Sequence, residues 1–188
     1  MSDLKKYKMF IDGEWTDSES KKTFKSLNPE NNEPWVEVPE ASEKDVDKAV
    51  KAAQKAFEGA WPKLFPRERA KYLKDIAEQL RENAELLGKI ETIDTGKLFK
   101  ETKNQANYIA EYYDYYAGLA DKVEGTVLPI DKANMQAITT RVPIGVVAAI
   151  IPWNSQMLLT AVKLAPALAM GNTIVIKSSE LAPATLFE

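Results

Sequence analysis

Between Ile144 and Ile176 the sequence leaves little choice of architecture. Ile144-Gly145-Val146-Val147-Ala148-Ala149-Ile150-Ile151 is a continuous apolar run. That is the pattern of a strand covered on both faces, as in parallel sheets packed between helices. Pro152 ends it, because a proline has no N–H to give a central ladder. Ser155 to Met170 reads as a helix closed by Gly171-Asn172, and Thr173-Ile174-Val175-Ile176 as a second, β-branched strand. Strand, crossover helix and strand make one βαβ unit, right-handed in nearly every known case. Ligands of such units bind beyond the carboxyl ends of the strands. Those ends are Pro152-Trp153-Asn154 and Lys177-Ser178-Ser179-Glu180.

The usual dinucleotide turn, G-x-G-x-x-G, is absent from this unit. Lys177 and Glu180 still suit a ribose, since a carboxylate accepts from its hydroxyls and an ammonium donates to one of them. The same two residues would serve equally as a solvated pair at a strand end. Asn154 suits a turn or a helix cap, the commoner use of an asparagine after a strand.

Composition narrows the chemistry. The 188 residues contain no cysteine and no histidine, which excludes disulfides, zinc-finger ligation, Ser-His-Asp triads and Cys-His dyads within this chain. What remains is carboxylates, lysine, tyrosine, amides, backbone or a bound cofactor. The net charge is −3 with no basic run, so no nucleic-acid partner is expected. Met1 to Tyr7 lacks the apolar core of a secretory signal. The apolar stretch from Val142 to Ile176 is interrupted by Pro143, Pro152, Asn154, Lys163, Pro166 and Gly171. It never reaches the roughly 20 residues of a membrane helix. A soluble, cytoplasmic protein is expected.

The front of the chain carries most of the charge. Met9-Phe10-Ile11-Asp12-Gly13-Glu14-Trp15 is a hairpin signal, because Asp-Gly supplies the positive φ angles of a type I′ turn. Asn28-Pro29 and Asn31-Asn32 turn the chain again, and Trp35-Val36-Glu37-Val38 alternates like a short strand. Ser42 with Asp45 three residues on is a variant capping box. The helix it opens repeats Val46, Ala49, Val50, Ala53 and Phe57 on one face and stops at Gly59. Pro66 opens a second, with Ala70, Leu73, Ile76, Ala77, Leu80, Ala84 and Leu87 aligned. A third places Ala106, Ile109, Ala110, Tyr113, Ala117 and Ala120 together. Tyr112, Tyr113, Tyr115 and Tyr116 cannot form one stacking platform, because consecutive helical positions point in different directions. They are expected to pack the helices.

At this point the motifs become recognisable. Ile150-Ile151-Pro152-Trp153-Asn154, Leu164 to Asn172, and Val175-Ile176-Lys177-Ser178-Ser179-Glu180-Leu181-Ala182-Pro183 closely resemble the aldehyde dehydrogenase superfamily. Phe10 to Trp15, Asn28-Pro29, Val46 to Val50 and Glu91-Thr92-Ile93-Asp94-Thr95-Gly96-Lys97 resemble it too, in order, from about residue 8 to the last residue. The resemblance implies an α/β fold of the aldehyde dehydrogenase type. An N-terminal β-hairpin and extended segment of oligomerisation type would occupy 1–40, and a helical layer 41–122. A strand pair linking to the oligomerisation sheet would occupy 123–142. Residues 143–188 would be the first βαβ unit, half of a Rossmann-like NAD-binding parallel sheet.

The activity it implies is NAD(P)-dependent oxidation of a small-molecule aldehyde to a carboxylate by a homo-oligomer, a dimer or tetramer. In that family a cysteine thiolate attacks the aldehyde, and a glutamate later activates water. Asn154 matches the asparagine whose amide donates to the resulting oxyanion. Lys177 and Glu180 match the positions that hold the adenosine ribose. Glu180 would repel a 2′-phosphate, which favours NAD over NADP. Ile150, Ile151, Pro152 and Trp153 match residues lining the cofactor cleft. Leu27, Asp94 and Leu181 match positions whose carbonyls hold a structural monovalent cation in some members.

There are departures. Ser155-Gln156 stands where an aromatic residue and proline are usual, which bears on aldehyde preference, and Ser178 stands where proline is common. The family's nucleophilic cysteine and general-base glutamate lie beyond residue 188. This chain is therefore expected to be an N-terminal portion, inactive by itself. A truncated, non-catalytic homologue acting as an oligomerisation or binding module is the alternative, and a stand-alone dinucleotide-binding module a third.

Overall fold

The structure, a computed structural model, describes residues 4–188; Met1, Ser2 and Asp3, part of the polar start noted above, lie outside the described residues. The chain opens with β1 (Lys5–Lys6), the hairpin strands β2 (Met9–Ile11) and β3 (Glu14–Thr16), then β4 (Thr23–Asn28) and β5 (Glu33–Pro39). The hairpin turn has Asp12 at φ 52° and Gly13 at φ 84°, as the Asp-Gly signal requires. β5 is central in its sheet, antiparallel to β4 and parallel to β1. β4, two residues longer than the Trp35–Val38 alternation, has no matching apolar alternation and was not expected.

Four long helices follow, where periodicity indicates three. They are α1 (Glu43–Glu58), α2 (Pro66–Glu82), α3 (Ala84–Thr95) and α4 (Phe99–Leu119). Ser42 caps α1, and the Ser42–Asp45 box is fully formed. The single apolar stripe read from Ala70 to Leu87 is in fact broken at Asn83, whose side chain donates back to the Gln79 carbonyl at 2.9 Å. That asparagine lets the chain redirect, so Ala84 and Leu87 belong to α3. The face of α1 also departs from expectation: Ala53 is buried, but Val46 and Val50 are 50% and 43% exposed.

After the short antiparallel pair β6 (Val127–Leu128) and β7 (Ala137–Ile138) comes the expected unit. Parallel strands β8 (Val146–Ile150) and β9 (Thr173–Lys177) flank α5 (Gln156–Ala169). A four-residue helix, α6 (Ala184–Phe187), ends the chain. The main core lies where α2, α4 and α5 meet, around Leu73, Ala77, Ile109, Ala110, Tyr113, Ala161 and Ala165. Many of these are alanines, so the helices approach closely. Tyr113 is buried and Tyr115 is 61% exposed, so the tyrosines do splay around α4. A second core joins Tyr7, Val36, Val38, Ile90 and Ala184. Among the described residues no helix is long and apolar enough to cross a membrane.

Polar anchors fix the far end of the βαβ unit. The Arg69 side chain donates to the Ala169 carbonyl at 3.1 Å, and Trp61 Nε1 to the Asn172 carbonyl at 2.9 Å. Asn172 Oδ1 accepts from the Ile144 and Gly145 amides, which ties the entry of β8 to the exit of α5. The double coverage expected for β8 is not met by these residues: Ala149 is buried, while Ile144 and Ile150 are 87% and 70% exposed. The α1 helix reaches only the start of the strand pair, where the Thr173 hydroxyl donates to the Ala53 carbonyl at 2.9 Å, and the carboxyl end around Ile150 stays open among the described residues.

Candidate functional site

The register of the two parallel strands assembles the site. Ile150 pairs with Lys177, and the Ile151 amide donates to the Lys177 carbonyl at 2.9 Å, so both strands finish at one level. Alternation along β8 then sorts its end. Ile150 points outward, Ile151 is buried, and Pro152, Trp153 and Asn154 are exposed. Of the four residues expected to line a cofactor cleft, Ile150, Pro152 and Trp153 present side chains at the surface. Ile151 is a core residue and could face a ligand only through its backbone.

Trp153 to Ser155 form a single 3-10 turn leading into α5. Among the described residues the Asn154 side chain has no hydrogen-bond partner, and α5 receives no side-chain cap from Ser155. The bland use of this asparagine, as a cap bonded to its own helix, is not what the geometry shows. Its amide is exposed and free to donate.

On the neighbouring strand end, Lys177 Nζ donates to Glu180 Oε2 at 2.9 Å. That bond, helped by the residue's own amide, holds the Glu180 carboxyl below the usual carboxylate range. Both side chains are more than half exposed. Glu180 is therefore an ionised acceptor beside Lys177, whose strand position pairs with the exposed Ile150. A carboxylate, an ammonium and two apolar surfaces at the carboxyl ends of parallel strands fit a dinucleotide's ribose and flat rings.

Of the three residues associated with a cation, Asp94 is tied to chain neighbours of the other two through its carboxylate. Buried Asp94 on α3 accepts from the Ser26 hydroxyl at 2.6 Å and Trp35 Nε1 at 3.0 Å through one oxygen. Its other oxygen accepts from the Ala184 amide at 2.7 Å. Ser26 precedes Leu27 in β4, and Ala184, which opens α6, follows Leu181 by three residues. Burial raises its pKa against these three bonds.

A second layer behind Asn154 has no counterpart in the residues singled out from sequence. Lys97, just beyond α3, donates to the Ser155 hydroxyl. Glu91, fully buried on α3, lies by the Thr185 hydroxyl, the Lys97 ammonium and the Met157 amide, yet neither carboxyl oxygen has a partner within hydrogen-bond geometry. Burial is the main influence on this carboxyl and raises its pKa. Gln156 is also fully buried with its amide unpaired. The available signal was a carboxylate following Leu87 and Ile90 on an apolar helix face, where a charge is costly unless it is used.

The fold and this pair of strand ends define a parallel βαβ unit of the Rossmann-like kind. The model of the aldehyde dehydrogenase family matches residues 15–188, and the chain belongs to that family. It is 48% identical over 186 residues to the (Z)-2-((N-methylformamido)methylene)-5-hydroxybutyrolactone dehydrogenase of Acinetobacter baylyi, covering 98% of this chain and 38% of that protein. To the betaine aldehyde dehydrogenase of Bacillus subtilis it is 43% identical, over 94% of this chain and 36% of that enzyme. The crystal structure of Staphylococcus aureus betaine aldehyde dehydrogenase in complex with NAD+ superposes with a TM-score of 0.93 at 37% identity, covering 96% of this chain and 36% of that one. The chain thus spans under two fifths of the length of these relatives.

Proposed function

We propose that these residues form the oxyanion-binding and ribose-binding part of an NAD-dependent aldehyde dehydrogenase that converts an aldehyde to a carboxylate. The observation that carries this reading is the strand register. It sets the free Asn154 amide and the Lys177–Glu180 pair at the same end of one parallel strand pair. Asn154 would donate its side-chain N–H to an oxygen that becomes negative as a nucleophile adds to the aldehyde. Such a donor stabilises the charged state more than the neutral carbonyl, so it acts on kcat. Glu180 and Lys177 would hold the adenosine ribose hydroxyls, and the Glu180 charge would disfavour a 2′-phosphate. Bound NAD would supply the hydride acceptor.

Lacking cysteine, these 188 residues would need the thiolate and the water-activating glutamate from outside them, and alone would be inactive. Carbonyls of Leu27, Asp94 and Leu181 would hold a monovalent cation, and the assembled enzyme would be a cytoplasmic homo-oligomer. The test is aldehyde-dependent reduction of NAD by the complete enzyme. Asn154→Ala should lower kcat by about 100- to 1000-fold. An unchanged kcat would refute the assignment.

A further inference from the structure

We propose that Glu91 and Lys97 are positioning residues that hold Asn154 in place from behind, both acting on the residues that lead from its turn into α5. This inference rests on the role given to Asn154 above. Pro152 to Asn154 are exposed, and among the described residues the Asn154 side chain has no hydrogen-bond partner. Its position therefore depends on what grips its neighbours. One hydrogen bond and one close approach are present, both from the end of α3. Lys97 donates to the hydroxyl of Ser155, the residue directly after Asn154. Glu91 lies beside the amide of Met157, in the first turn of α5, where the helix has backbone N–H groups without intrahelical partners and no cap from Ser155. Lys97 and Glu91 also attract one another, so the two grips form one unit.

The cost of placing Glu91 there argues for use. The residue is 0% exposed and, among the described residues, neither oxygen has a partner within hydrogen-bond geometry. A buried polar group in that state is destabilising, and such groups are retained where they do work. An acceptor facing a helix N-terminus is favoured by the partial positive charge of the aligned peptide dipoles. The Ser155 hydroxyl supplies the acceptor through which Lys97 ties the end of α3 to the turn, a bond that apolar packing would not provide.

The energetic consequence falls on reaction rate. A misplacement of about 1 Å in a positioned donor can cost on the order of 100-fold in rate. The experiment is a set of double-mutant cycles in the complete enzyme, joined to the 1H–15N signals of the Asn154 side-chain amide. Glu91→Leu and Ser155→Ala should each lower kcat by about 10- to 100-fold, leave the KM for NAD within about twofold, and shift or broaden the Asn154 signals. Glu91→Gln, which keeps an acceptor, should restore most of the rate and the signals. Placed on Asn154→Ala, neither change should cost anything further. Losses that multiply with that of Asn154→Ala, or Asn154 signals unmoved by both variants, would overturn the proposal. If Glu91→Leu fails to fold, Ser155→Ala, on a half-buried serine, decides alone. If Asn154→Ala itself keeps full activity, the role of Asn154 has failed instead, and the NMR signals still report whether the grips hold it.

Discussion

At the level of single residues, buried carboxylates organise this molecule. Asp45 shows the stabilising case. Burial opposes its ionisation, but the Ser42 amide and hydroxyl, the Ser18 hydroxyl and the Glu19 amide outweigh burial and hold its pKa at about 2, against 3.8 ordinarily. A depressed pKa in the folded state means stability that is fully present above pH 3.8 and lost as pH falls toward about 2. Urea midpoints at pH 4.5 and 2.5 should therefore fall for the native sequence by more than for Asp45→Asn, and equal falls would contradict the assignment. The capping role of Asp45 was legible, because Ser-x-x-Asp before an apolar repeat has a local meaning. Glu91 and Gln156 were not, since nothing in a helical period says which polar residue a distant helix will cover.

Among the elements, helix contacts turn on small residues. At Gly88 of α3 an added Cβ would lie 2.8 Å from the Lys103 backbone nitrogen and 2.9 Å from its Cα. The Thr102 hydroxyl also donates to the Gly88 carbonyl at 2.8 Å. Backbone atoms cannot turn aside as a side chain can, so α3 and α4 would have to part. Gly88→Ala is expected to cost about 1–3 kcal/mol in chemical denaturation despite alanine's better helix propensity. A neutral or stabilising result would mean that the crossing is looser than described.

Legibility at this scale follows range. The hairpin and the α1 cap are set by neighbours within a few residues, and the elements of the β8–α5–β9 unit by apolar runs with local stops, so all are legible in the sequence. The break at Asn83 was missed because the apolar period runs through it unbroken. β4 was missed because its strand character comes from pairing with β5. Asn154 and the Lys177–Glu180 pair could be singled out because a topological rule places strand ends together. Their meaning came from resemblance, not from spacing.

Across the whole molecule, exposed apolar surface is the main fact. Ile144, Ile150 and Trp153 are 87%, 70% and 53% exposed, and Val46 and Val50 are open on α1. β8 and β9 form a two-stranded sheet with unpaired outer edges among the described residues. Apolar edges of this kind recruit further strands. Residues 1–188 expressed alone should self-associate in light scattering; a monodisperse, cooperatively melting monomer would contradict this.

The division of labour between the two strand ends is tested most directly by NAD titration calorimetry on the complete enzyme. Glu180→Ala should weaken NAD by about tenfold or more, the scale of a charged hydrogen bond lost. Asn154→Ala should leave NAD affinity within about twofold while turnover collapses. Equal weakening of NAD by both changes, or by neither, would contradict the account.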